Sequence, residues 1–436
     1  MKKIISFSIK ALVSLVLLSV LFACSGNSNK KVVEDKPYQY ASMQDGVLHL
    51  DIDKARKDST ILKLSEVCDS LIYIPLETKK ECLLGRHLND FYIDGDDIFL
   101  HMDVSAYHFK TSGKFVGQLG KKGRGPSEYI CRALTVNKDD KRIYAKANYK
   151  RRMMEFDYNG NLLSDDIKLS PSQEGILYFS PSKSLFYTSS YNFLLEKSKT
   201  NEYSLLSEYD LNGKLKIKIK SKYFPNLFFA ESKGGRSSIY GASKYIMGNS
   251  LRFQEVSSDT VFSMTNGKIK PYIVLNNNDF RKPFTAERFE SDPEDKMWWF
   301  ICRGDSFPSR VCGESSRYIF IDYFSEPSYI YDKHERKLTC VEQYVEYSEG
   351  EKPGEKNADR FVYFNDLDGF NHITYTRVVD NKFLLSKIPA IDFLENLEKL
   401  KESGSSNSKY ISQLEKIAIG LTEESNPVIM LARLKK

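Results

Sequence analysis

The stretch Ser112-Gly113-Lys114-Phe115-Val116-Gly117-Gln118-Leu119-Gly120-Lys121-Lys122-Gly123-Arg124-Gly125-Pro126-Ser127-Glu128-Tyr129 decides how this chain is read. Ser112-Gly113 is a hairpin turn that supplies φ > 0; Phe109 leads in, and Phe115 and Leu119 lead out on one face of a strand. The glycines from Gly120 onward let the chain turn from that strand into the next. The first half of the unit recurs at Asn159-Gly160, Asn212-Gly213 and Asn266-Gly267, with a degenerate fifth copy at 331–336. The four glycines are 47, 53 and 54 residues apart. After Gly213, Leu215, Ile217 and Ile219 alternate with Lys214, Lys216, Lys218 and Lys220, which is the period of a half-buried strand.

A second kind of hairpin alternates with these. It consists of two short apolar runs around a polar turn: 91–93 with 98–100, 134–136 with 143–144, 176–179 with 185–187, 239–240 with 245–247, 311 with 318–321, and 375–379 with 383–385. Four antiparallel strands per repeat of roughly 40–50 residues mark a β-propeller blade. Six such hairpins predict an all-β, six-bladed β-propeller. The last repeat lacks its second hairpin, and two orphan strands fit the gap: 427–434 as its third strand and 71–76 as its fourth. Joining the chain ends in one blade removes an open edge. Residues 391–419 break the β pattern: Ile391, Leu394, Leu397 and Leu400, then Ile411, Leu414 and Ile417, are spaced for two short core-packing helices around Ser403-Gly404-Ser405-Ser406.

The amino terminus reads as an address. Lys2, Lys3 and Lys10 precede an apolar run over 11–22, which is shorter than the roughly 20 residues of a membrane span. The run ends in Leu21-Phe22-Ala23-Cys24, the pattern of a lipobox with Cys24 as the lipid attachment site. The expected organisation is a lipoprotein signal peptide at 1–23, a flexible linker at 24–45 and the propeller at 46–436. Formal net charge is +6, and +3 without the three leader lysines, too weak and dispersed for nucleic acid. Cys68, Cys82, Cys131, Cys302, Cys312 and Cys340 form no Cys-x-x-Cys pair, so a zinc ribbon is not expected and buried free thiols are.

These residues resemble the six-bladed β-propeller lipoproteins of Bacteroidetes, related in fold to NHL and TolB-like propellers. The likeness is carried by Tyr73-Ile74-Pro75-Leu76-Glu77-Thr78, Ile98-Phe99-Leu100, Gly113-Lys114-Phe115, the Gly120–Tyr129 run and Asn426-Pro427-Val428, and it covers about 62–435. The family pattern has Gly before Glu-Tyr where this chain has Ser127. The resemblance implies a fold and an envelope location, and it supplies no catalytic residues. Lipoproteins of that phylum often carry an acidic cluster after the lipid cysteine to reach the cell surface. Residues 25–31 hold none, so the expected address is the outer membrane facing the periplasm, with surface exposure as the other option.

In a propeller, the first-to-second and third-to-fourth strand turns share one face. The other connections share the opposite face, and here these are the long ones: 120–130, 221–238, 276–310, 341–371 and 390–426. Long loops on a rigid scaffold are where binding is usually placed. The candidate ligand face comprises Arg124, Glu128, Tyr129, Arg281, Arg288, Trp298, Trp299 and Arg303; Trp and Arg together suit stacking on sugars or anchoring a partner chain. Arg124 and Glu128 are expected to pair across their turn, with Tyr129 packed beneath. The expected partner is a glycan, a peptide or an envelope protein, with the membrane reached through the lipid anchor. No catalytic, cofactor-binding or metal residues are assigned. The glycine run lacks Gly-Lys-Ser/Thr, and neither His-Glu-x-x-His nor Gly-x-Ser-x-Gly occurs. The rival reading is a metal-assisted hydrolase or lyase in the central channel. Its thin support is Asn89, Asp90 and Asn371 near inner-strand starts.

Overall fold

A computed structural model describes residues 36–125, 128–147, 152–168, 178–180, 185–188, 204–210, 212, 214–220, 229–232, 235–238, 242–255, 258–276, 310–322, 327–346, 359–374, 376–402 and 408–436. Five four-stranded antiparallel meanders of consecutive strands form the blades of a β-propeller. The first is Leu88–Asp94, Asp97–Met102, Ser105–Lys110 and Phe115–Gln118. The second is Cys131–Asn137, Arg142–Ala147, Arg152–Asp157 and Leu162–Lys168. The third is Tyr178–Ser180, Leu185–Thr188, Ser204–Asp210 and Leu215–Lys220. The fourth is Ala242–Met247, Ser250–Glu255, Thr260–Thr265 and Lys268–Asn276. The fifth is Arg310–Glu314, Tyr318–Asp322, Ser328–Asp332 and Lys337–Val341.

The expected count of six repeats is therefore corrected to five blades of consecutive strands. The remaining sheet is composite: Val378–Val379, Phe383–Ile388 and Val428–Leu434 are followed by Cys68–Pro75 from the other end of the chain. The last two strands pair antiparallel from Val428↔Pro75 to Arg433↔Ser70. A second correction concerns the fourth blade. Its first strand includes Tyr245–Met247 and turns at Gly248 into Ser250–Glu255, one strand later than the sequence places that hairpin.

The composite sheet is buried on both faces, and the period of two along Val428–Leu434 shows how. Ile429 and Leu431 pack with Phe91, Ile98, Leu100 and Phe109 of the first blade. Val428, Met430, Ala432 and Leu434 pack with Tyr318, Phe320 and Ile330 of the fifth. A strand apolar at every position except Arg433 is what such a place requires. The two helices, Ala390–Glu402 and Ser408–Ala418, lie in the connection between Phe383–Ile388 and Val428–Leu434. Phe393, Leu397, Leu400 and Leu414 join the core on the fifth-blade side, and Phe393 meets Phe370 and Tyr73 edge-on.

Strand structure is present before residue 46, within the stretch expected as a flexible linker. Ala41–Gln44 pairs with Val47–Asp51, which adds in parallel to Ile273–Asn276 on the outer edge of the fourth blade. Ser59–Thr60 then adds in parallel to Cys340–Val341 on the fifth. The amino-terminal strap thus covers two outer edges before it supplies the outer strand of the composite sheet. The outer strand of the third blade guards its own edge with the exposed Lys216 and Lys218.

Joints explain several motif residues. Gly113 has φ +85°, and a Cβ there would stand 1.9 Å from the Pro75 carbonyl oxygen. Glu77 accepts the Phe115 N–H at 2.8 Å. Asn426 donates to the Glu77 and Cys82 carbonyls at 2.7 Å each and accepts the Leu84 N–H at 2.9 Å. Among the described cysteines, Cys68, Cys82, Cys131 and Cys340 are buried free thiols and Cys312 is partly buried. Burial raises the Cys68 and Cys131 thiols above their usual range, so both stay protonated.

Ile429 is 1% exposed, whereas Ile419 is 79% exposed. Ile429→Ala is expected to cost about 2–5 kcal/mol, and Ile419→Ala no more than about 0.5 kcal/mol. Urea midpoints at unchanged m-value measure both; equal effects would contradict the placement of Val428–Leu434 between two blades.

Candidate functional site

The Gly120–Tyr129 run leaves the first blade and enters the second; among its described side chains Glu128 bonds back to the run and Tyr129 to Leu119 just before it, while Lys121, Lys122 and Arg124 are exposed. Gly120 has φ +69°, and a Cβ there would meet the Tyr129 ring at 2.7 Å. Tyr129 is buried beneath, as expected. Its hydroxyl donates to the Leu119 carbonyl at 2.6 Å, and burial raises its pKa far above the usual range. Glu128 accepts the Gly125 N–H at 2.9 Å and so closes its own turn. Tyr129 accordingly leaves the candidate ligand face and Glu128 becomes a loop-closing residue, while Arg124 is exposed. Arg281, Arg288, Trp298, Trp299, Arg303 and Cys24 lie outside the described residues.

Next to this loop, the inner edge of the first blade carries a polar network. His101, 1% exposed, places Nδ1 2.9 Å from Asp90 Oδ2 and Nε2 3.1 Å from the Asp103 carbonyl oxygen. The same Asp90 oxygen accepts the Leu134 N–H of the second blade at 2.9 Å, and the Tyr92 hydroxyl donates to the Leu134 carbonyl at 3.0 Å. Asp103, at φ +48°, accepts the Arg86 and His87 N–H groups at 3.0 Å each and lies 2.9 Å from His87 Nδ1. The His87 N–H is the main reason that its carboxyl titrates below the usual range; burial opposes the shift, and the His87 ring and the Arg86 N–H reinforce it.

The arrangement is a clamp between blades, and it has counterparts. From the composite sheet, Arg377 donates to the Leu88 and Asn89 carbonyls at 2.7 and 2.6 Å. From the fourth blade, Gln254 accepts the Val311 N–H at 3.0 Å and Ser243 donates to the Val311 carbonyl. Each recipient strand has a bulge at or beside the clamped residues: Leu88/Asp90, Cys131/Ala133 and Val311/Gly313. A bulge frees backbone groups from the ladder, and the preceding sheet satisfies them.

Asn89 and Asp90 are thus brought together with His101, while Asn371 is placed elsewhere, accepting from Asn396 at 3.3 Å. Among the described residues no three His, Cys, Asp or Glu side chains are grouped to hold a metal ion. The Asp90–His101 pair was within reach of the sequence. The turn at Gly95 sets the hairpin register, and that register puts Asp90 opposite His101.

A family description, a domain of unknown function named DUF4934, matches residues 47–433. The chain belongs to the DUF4934 family. Among solved structures, this DUF4934 chain is similar to a Bacteroides fragilis protein inferred to be exported. The match has 17% identity and a TM-score of 0.59 and covers 87% of this chain and 98% of that one, which shows a shared fold. A member of the DUF4221 family from Bacteroides vulgatus matches at 14% identity and a TM-score of 0.40, covering 85% of this chain and 97% of that one. No curated protein matches the chain.

Because Asp103 titrates low in the folded state, its contribution to stability is present above the unfolded carboxyl pKa of about 3.9 and is lost as pH falls through the lower folded value. Asp103→Asn, which tolerates the left-handed backbone, is expected to be less stable than the parent at pH 7, with the gap closing below about pH 4. Thermal melts from pH 7 to pH 2 measure this; a constant gap would contradict it.

Proposed function

We propose that this DUF4934 chain is a lipid-anchored envelope binding protein of the propeller lipoprotein type. It presents its long-connection face to a glycan, peptide or protein partner. The composite sheet counts in this reading as the sixth blade, and Cys24 carries the lipid, most consistently on the periplasmic side of the outer membrane.

The observation that carries the reading is the one-sided distribution of connection lengths. The turns of one set are short and closed by their own hydrogen bonds. Asp157 accepts the Asn159 and Asn161 N–H groups, Asp210 those of Asn212 and Lys214, and Asp332 those of His334 and Glu335. The other set includes 277–309, which holds Trp298 and Trp299, and 342–377 and 389–427. A rigid ring with insertions concentrated on one side is the usual platform for recognition. Arg281, Arg288, Trp298, Trp299 and Arg303, with Arg124 from the connection between the first and second blades, form the proposed contact set. Aromatic and guanidinium groups together suit sugar rings and peptide anchors.

Two measurements test the reading. Cys24→Ser is expected to move the protein from the membrane to the soluble fraction; continued co-sedimentation with membranes would contradict the anchor. On an array of bacterial and host polysaccharides and extended peptides, the parent is expected to bind at least one probe. Replacing Trp298 and Trp299 together by alanine should weaken that binding by about tenfold or more, with the melting curve unchanged. Undiminished binding, or no binding to any probe, would contradict the assignment of this face.

A further inference from the structure

Among the described residues, no further strand pairs with the outer strand of the composite sheet. Pairing of Cys68–Pro75 with Val428–Leu434 runs through Leu76 N–H to the Pro427 carbonyl, so residues 70, 72 and 74 direct their backbone groups inward. Asp69, Leu71, Tyr73 and Pro75 direct theirs outward. The Pro75 end is blocked, because its carbonyl lies against Gly113. From Asp69 to Tyr73 the edge faces a cavity of about 340 Å³, closed on its far side by Tyr410, Gln413 and Ile417 of the Ser408–Ala418 helix. Among the described residues no backbone hydrogen bond reaches the outward groups of Asp69, Leu71 or Tyr73.

On the fourth and fifth blades the corresponding edges are covered by an added parallel strand, Val47–Asp51 and Ser59–Thr60. The fold therefore accepts strand addition at this position in its sheets, and on the composite sheet a groove stands beside the uncovered outer strand. The groove has a sign as well as a shape. Among the described residues Asp69 and Asp368 line it and no Lys or Arg does, while Leu71 and Ile417 give it apolar walls. Asp368 is buried and accepts from the Tyr73 hydroxyl at 2.7 Å, whereas Asp69, which accepts from the Ser70 hydroxyl at 2.7 Å, is the exposed carboxylate at the groove's end.

We propose that this groove, built in part from the 342–377 and 389–427 connections, is a docking site in its own right for an extended partner peptide that adds as a strand to Asp69–Tyr73. The peptide it fits alternates apolar side chains, directed at Leu71 and Ile417, with a Lys or Arg near Asp69. Main-chain hydrogen bonds along the edge supply affinity, and the charge and apolar walls supply selectivity. The open segment, about 3.4 Å per residue, spans roughly 14 Å from Asp69 to Tyr73, room for a strand of three to five residues.

The test uses the purified full-length protein and three fluorescent peptides followed by anisotropy: an alternating Val-Lys heptamer, an alternating Val-Glu heptamer, and the Val-Lys heptamer with a central proline. The Val-Lys peptide is expected to bind at least tenfold more tightly than the other two. Leu71→Pro removes an N–H that the sheet does not use and so blocks strand addition, and because it also removes the Leu71 packing on the core it is expected to lower the melting temperature. Asp69→Lys reverses the charge and leaves the edge intact. Each variant should lose at least tenfold in affinity for the Val-Lys peptide, and Asp69→Lys, at an exposed position, should do so at an unchanged melting temperature. Equal binding of the three peptides, absence of Val-Lys binding up to millimolar concentration, or undiminished binding by Asp69→Lys would overturn the proposal.

Discussion

The pairing of Val428–Leu434 with Cys68–Pro75 is the contact on which the rest of the molecule depends. It joins strands more than 350 residues apart in sequence, so it carries a large loop-closure cost and is not a local folding event. What offsets that cost is burial on both faces. Side chains of alternate parity pack on the first blade and on the fifth, and the two clusters meet only through this sheet. Without it, the first and fifth blades would each expose an apolar face, and the outer edge of Phe383–Ile388 would be open.

The polar joints are arranged on the same logic. Inner strands of a propeller face a channel with one ladder edge, and bulges free further backbone groups there. Asp90 with Tyr92, Gln254 with Ser243, and Arg377 each satisfy those groups on the next sheet. His101 is held between Asp90 and the Asp103 carbonyl and so fixes the clamp from behind. These side chains look like chemistry in the sequence because Asp, His, Asn and Arg are the residues of active sites. In the fold their hydrogen-bonding capacity is spent on backbone, which is a structural use.

Much of the architecture was legible because it is local. The Asn-Gly turns, the period of two through Leu215–Lys220, and the helical spacing through Leu397 and Leu414 each correspond to an element where expected. The orphan strand at 427–434 was legible for a different reason: an apolar run with turn residues before it has few other places to go. The hairpin at 239–247 was misread, because Tyr245–Met247 is apolar on both flanks of a turn that Gly248 actually makes. The parallel additions of Val47–Asp51 and Ser59–Thr60 left no sequence signal, since a parallel edge strand needs no turn and no fixed spacing. The clamps were invisible because each acts between two sheets, which no turn or strand period records; Asp90 and Leu134 are 44 residues apart and Gln254 and Val311 57. At the candidate face, the burial of Tyr129 was readable from the glycines that make room for it. The contact set around Trp298 rests on composition alone.

The central claim is that the two chain ends share one sheet whose stability is that of the whole ring. Native-state hydrogen exchange tests it most directly. The inward amides of Ile72, Ile74, Ile429 and Leu431 are predicted to exchange only through global unfolding, with the same opening free energy as Leu100 and Phe109 in the first blade. Exchange of the composite-sheet amides by a lower-energy opening, while the first blade stays protected, would contradict the account.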